Sequence, residues 1–175
     1  MTFSNVVYSN LSIDHIFDLI ANNSNKSLNF VEIHSETFFT EEIRTTGSVA
    51  FSDNGAMSKY ITTPNKSEMH IVGNTLSLIN GEDVKSISLA NYPVLSSSIN
   101  AIRWILSGEK SKILENYFIN YTIKNNNWII DLIPKNEEVL LKISSISVTG
   151  NGKNIATITL IKSGKVVVKT IFSNL

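Results

Sequence analysis

The 175-residue chain carries 15 basic and 15 acidic side chains and is 42% hydrophobic. That balance suits one domain with a sizeable core and argues against disorder and against a nucleic-acid partner. Cysteine is absent, which excludes disulfides, thiolate metal sites and cysteine nucleophiles.

Residues 1–12 lack the basic start and apolar stretch of a signal peptide, and no apolar run approaches the roughly 18 residues of a membrane span. The chain therefore stays in the cytoplasm or has lost a signal. Ser12 is placed to cap a helix whose apolar stripe is Ile13, Ile16, Phe17 and Ile20. From Asn29 the period changes to two. Val31, Ile33, Ser35, Thr37 and Phe39 face one way, and Phe30, Glu32, His34, Glu36 and Phe38 the other. Alternating segments recur at 45–52, 57–63, 67–72, 75–80 and 83–89. They are separated by Asp53-Asn54-Gly55, Pro64-Asn65, Gly73-Asn74 and Gly81-Glu82, all turn formers. Links this short favour an antiparallel meander.

The middle of the chain breaks this rhythm. Over 92–118, Val94, Leu95, Ser98, Ile99, Ile102, Ile105 and Leu106 share one helical face, and Pro93 suits the first turn. Gly108 ends the run, and a second short helix is expected to turn Ile113, Leu114, Tyr117 and Phe118 inward. Then come 118–124 and 128–133 as a hairpin, a helical turn near 136–141, and strands at 143–149, 155–162 and 166–173. The total is eleven strands in one domain, residues 1–175. An antiparallel sheet of that size curls, so the expected fold is mainly β with helices (α+β). It is an incomplete barrel whose concave face is covered by the helical pair, either as a filled core or as a lid over a ligand cavity.

Chemistry is sparse. Paired strands could gather Glu32, His34, Glu36, Glu68 and His70 into an imidazole–carboxylate metal site, hence a metal-dependent hydrolase; polar residues on the wet side of a strand explain the same pattern. No Gly-x-Ser-x-Gly elbow or glycine-rich phosphate loop is present, so neither an enzyme nor a cofactor is expected. The charges are unevenly distributed. Residues 1–88 hold 10 acids and 5 bases, and residues 89–175 hold 5 acids and 10 bases. The pattern fits two solvated faces or a polarised docking surface.

Several motifs in order carry a family likeness: FVEIHSETFF, TTGSVAF, SKYITTPNKSEMHIVGNTLSL, SINAIRWILSGEKSKILENYF and WIIDLIPKNEEVLLKISSISVTG. Together they resemble the outer-membrane lipoprotein carrier protein family (LolA-like), particularly a branch found beside fatty-acid and aryl-polyene biosynthesis genes. The resemblance implies an unclosed barrel with a helical lid in a periplasmic, monomeric protein. Such a protein shields the acyl chains of a lipoprotein or lipid, taking them from an inner-membrane donor to an outer-membrane acceptor. Where carriers of the family place an Arg before the x-x-Pro passage, this chain has only Lys59 nearby; Arg103 in the lid is the basic residue that matches the branch. On this reading Met57, Ile61, Ile71, Leu78, Ile99, Ile102 and Trp104 line the cavity. The rival is a structural or docking module whose filled barrel binds a protein partner.

Overall fold

The computed structural model describes residues 12–23, 26–35, 42–52 and 55–174. Helix α1 (Ile13–Ala21) starts where the Ser12 hydroxyl accepts from the His15 amide, and it buries Ile16, Phe17 and Ile20. Six strands follow: β1 (Ser27–His34), β2 (Ile43–Phe51), β3 (Met57–Thr63), β4 (Ser67–Val72), β5 (Thr75–Asn80) and β6 (Asp83–Ser88). A 3-10 turn at Leu89–Asn91 leads into α2 (Pro93–Leu106) and α3 (Lys110–Asn116). The chain closes with β7 (Tyr117–Lys124), β8 (Asn127–Pro134), α4 (Glu137–Leu140), β9 (Ser145–Asn151), β10 (Asn154–Lys162) and β11 (Lys165–Asn174). No helix among the described residues is long and apolar enough to cross a membrane.

All eleven strands form one antiparallel sheet in the order β6-β5-β4-β3-β2-β1-β11-β10-β9-β8-β7. Two meanders are thus joined through β1 and β11, where Phe30 sits opposite Phe172 and Glu32 opposite Thr170. The outermost strands, β6 and β7, are consecutive in the chain. The segment between them has to travel from one sheet edge to the other, and the short route crosses the concave side. Topology therefore puts α2 and α3 over the concavity, and the apolar face of α2 makes that placement favourable.

Two glycines set how closely the layers meet. Gly108 (φ +70°) ends α2, and a Cβ there would lie 2.6 Å from the Ala21 amide, so α1 is able to pack tightly behind α2. Gly150 lies under the indole of Trp128, which a Cβ would overlap at 2.1 Å. Trp128 is 1% exposed and donates to the Gly152 carbonyl at 2.9 Å, filling the β8–β10 end of the barrel.

The pattern-based expectations need three corrections. Strand β1 turns Glu32, together with Phe30, towards the helices and not to the wet side, because their partners Gly47, Phe172 and Thr170 lie on the concave face; Glu36, Thr37, Phe38 and Phe39 lie outside the described residues. Leu114 and Phe118 are exposed although Ile113 and Tyr117 are buried. The chain becomes a strand at Tyr117, and from there alternate side chains point apart. His34 and His70 do not meet. Glu32 and His34 are on the concave face, while His70 and Glu68 alternate with the inward-facing Met69 and Ile71 and so face the other way. Among the described residues no group of histidines and carboxylates is arranged to hold a metal.

Candidate functional site

Helix α2 divides the concavity into two unlike ends. Its C-terminal half lies tight on β1–β4. Ile99, Ile102 and Leu106 come down on Phe30, Val49, Met57 and Met69 and leave a small void of about 50 Å³. At about 10–15 Å³ of such space per water, this end has room for only a few waters. Its N-terminal half stands away from β10 and β11. Between them opens a cleft of about 680 Å³, with Val94, Leu95 and Ser98 on one wall, Leu160 and Val167 on the floor, and Ile143 beyond α4 on the far side. The size is in the range of small-ligand sites and the lining is mainly apolar, but the cleft is broadly open to solvent.

A polar cluster occupies the closed end. Lys59 Nζ lies 2.7 Å from Glu32 Oε2, Thr170 donates to the same oxygen at 3.0 Å, and His34 Nε2 is 2.9 Å from Glu32 Oε1. Lys59 also sits 4.6 Å above the Phe30 ring. Burial by itself would raise the Glu32 carboxyl, but the charge of Lys59, its hydrogen bond and that of His34 outweigh it and hold the carboxyl below its ordinary value.

Two further contacts pin the helix. Arg103 is buried at 8% exposure and donates from Nη1 to the Gly73 carbonyl at 2.9 Å, tying α2 to the β4–β5 turn. Burial lowers its guanidinium from the ordinary value, and Glu109 partly restores it. Its Nε has no hydrogen-bond partner among the described residues. On the opposite side Tyr117 donates to the Ser97 carbonyl at 2.8 Å and lies 2.5 Å from the Ser97 hydroxyl. Burial pushes the Tyr117 hydroxyl up, against the opposing effect of Ser97. The α2 helix is thus fixed near its end to β4–β5 and near its start to β7.

Residues 7–172 match the family model for outer membrane lipoprotein carrier protein, LolA-like. The chain belongs to this family. No curated protein matches the sequence. Among solved structures, MucB matches with a TM-score of 0.53 at 10% identity, over 93% of this chain and 58% of that one. The MucA/MucB complex of Pseudomonas aeruginosa gives 0.52 at 10% identity, over 92% and 55%. A LolA superfamily protein from Nitrosomonas europaea matches over 94% of this chain and 93% of that one, at 9% identity and a TM-score of 0.46. The chain spans little more than half the length of the MucB structures, and at these identities the MucB likeness is one of fold.

Within this LolA-like chain the residues picked from the sequence scatter. Met57, Ile99 and Ile102 line the closed void. Ile71 is fully buried and Ile61 half-buried in the core around it, whereas Leu78 is 43% exposed towards the β6 edge. Trp104 belongs elsewhere: it lines a separate cleft of about 190 Å³ with Ser97, Asn100 and Tyr117, on the face of α2 turned away from Ile99 and Ile102. At 100° per residue, positions 97, 100 and 104 cluster opposite 95, 99 and 102. The residues picked from the sequence stop at Trp104, whereas the floor of the open cleft comes from β10 and β11 and its far wall from Ile143 after α4. The available signal was Val94, Leu95 and Ser98, the first turns of the same stripe.

Proposed function

We propose that this LolA-like protein is a carrier that shields an acyl chain of a lipid or lipoprotein in the cleft between the first half of α2 and strands β10 and β11. The observation that carries the reading is the 680 Å³ cleft itself, open and lined by Val94, Leu95, Leu160 and Val167. Each methylene buried there is worth about 0.8 kcal/mol, so about ten give roughly 8 kcal/mol, from which the costs of association are subtracted. The protein works by binding and release rather than by catalysis. Membership of the family supports a periplasmic location and delivery towards the outer membrane. The lid motif around Arg103 supports the branch beside fatty-acid and aryl-polyene biosynthesis.

The test is organic extraction of the natively purified protein with mass spectrometry of the extract, followed by titration of the delipidated protein with a fluorescent fatty acid. A bound lipid near one per chain, or saturable binding that Leu160→Trp removes, supports the carrier. A clean extract and no binding would sink it. The second reading, a docking module for a protein partner, draws support from the nearly filled closed end and from the MucB fold, seen in complex with MucA. It predicts salt-sensitive association with a polypeptide and no lipid.

A further inference from the structure

We infer that the cleft beside Trp104 is a second binding site and takes one uncharged, polyhydroxylated ring such as a pyranose sugar. The inference goes beyond the carrier reading and does not depend on it.

This cleft, of about 190 Å³, lies where α2 meets the end of α3 and the start of α4. Its volume is below the roughly 300 Å³ at which drug-sized ligands begin to fit, so the occupant is a single ring and not a chain. Among the described residues no charged side chain lines it. A charged ligand would therefore lose its hydration there without gaining a counter-ion.

The polar lining is made of neutral amides and hydroxyls, each oriented by the fold and each with capacity to spare. Arg103 Nη1 donates to Asn100 Oδ1 at 3.3 Å, and Asn100 Nδ2 donates to Ser96 Oγ at 3.2 Å. The Ser96 hydroxyl keeps its own proton to donate. The Val139 amide donates to Asn136 Oδ1 at 3.0 Å, which leaves both hydrogens of Asn136 Nδ2. Asn116 Nδ2 donates to the Lys112 carbonyl at 2.9 Å, which leaves Asn116 Oδ1 as an acceptor. Donors and an acceptor thus surround one small space. Neighbouring hydroxyls suit this set, since each both donates and accepts. An apolar ligand would cover these groups and leave them unpaired.

The rest of the lining explains the ring. Trp104, Pro93 and Pro134 add apolar surface beside the amides. A pyranose has faces of C–H groups and an edge of hydroxyls, so one molecule satisfies both kinds of wall.

Saturation-transfer NMR and tryptophan fluorescence of the full chain test this, with methyl glucoside, methyl mannoside, methyl galactoside, glucuronate and cyclohexanol as probes. The chain has two tryptophans, and Trp128 is buried and lines no part of this cleft, so a fluorescence change reports on Trp104. The expected result is saturable, millimolar binding of at least one glycoside, about fivefold or more tighter than glucuronate or cyclohexanol. Asn136→Asp keeps an oxygen to cap α4 but replaces the free donor. It should weaken that binding about fivefold with an unchanged circular dichroism spectrum. Trp104→Phe should retain the binding that Trp104→Ala loses. Octyl glucoside below its micelle concentration identifies the source of the sugar. Tighter binding than methyl glucoside, removed by Leu160→Trp, assigns the head of a lipid whose tail lies in the acyl cleft, with which this one shares Pro93; any other result assigns a free sugar. No saturable binding of any glycoside, equally tight glucuronate or cyclohexanol, or binding that survives both Asn136→Asp and Trp104→Ala would overturn the inference. None of these results bears on the acyl cleft, which Leu160→Trp tests separately.

Discussion

The two halves of α2 cover the same sheet and do opposite things. Over β1–β4 the helix presents Ile99, Ile102 and Leu106 to Phe30, Met57 and Met69, and large side chains meet with about 50 Å³ left over. Over β10 and β11 it presents Val94, Leu95 and Ser98 to Leu160 and Val167, and about 680 Å³ stays open. The side chains at the open end are smaller, and the α4–β9 connection holds its far wall back at Ile143. Arg103, near the closed end, grips the Gly73 carbonyl. A single helix thus serves as core at one end and as the roof of a site at the other.

Breaking the closed end should cost stability and leave binding alone. The largest effect is expected from Lys59→Met, which leaves Glu32 charged and largely covered. Loss of about 2–4 kcal/mol in urea unfolding is predicted, with most of it recovered in the Glu32→Leu, Lys59→Met double variant. The same pair fixes a pH dependence. The folded-state carboxyl of Glu32 lies below its unfolded value, so its contribution is full above the unfolded pKa near 4.5 and is lost as pH falls through the folded one. Glu32→Gln should therefore be less stable at neutral pH but lose less on acidification below about 4.5; parallel curves for the two proteins would show that the pair is not felt.

Met57→Ala should cost about 2–3 kcal/mol by enlarging the closed void, with fatty-acid affinity within about twofold of the parent. A large fall in affinity would mean that cargo reaches the closed end. At the open end the signs reverse. Leu160→Trp should move stability by about 1 kcal/mol or less, because the side chain grows into free space, yet weaken acyl binding by tenfold or more. The smallest effect is expected from Arg103→Lys, which keeps the charge but not the reach of the planar fork to Gly73. About 1 kcal/mol of stability should go, and stopped-flow displacement should show ligand release unchanged.

Much of the fold was legible from the residues. Period-two alternation and short Gly-Asn and Gly-Glu turns dictate adjacent antiparallel strands, and the 3.6-residue stripe of 94–106 dictates one amphipathic helix. Both are local signals, since each residue reports its own backbone state. The candidate site was less legible. A stripe shows that α2 is covered, not by what, nor how closely. Trp104 is large and apolar like Ile102, but the 100° spacing already puts it on the opposite face of the helix, so that error was avoidable from the sequence. Glu32 reads as a wet-side residue until its cross-strand partner Thr170 places it beneath α2. The sequence by itself determined the strands, the helix and the lysine-rich second half. Only the tertiary structure decided that β1 pairs with β11, that the ion pair is covered and that the open space lies over β10. Those facts depend on contacts between residues distant in the chain, 138 positions for Glu32 and Thr170, which no local pattern encodes.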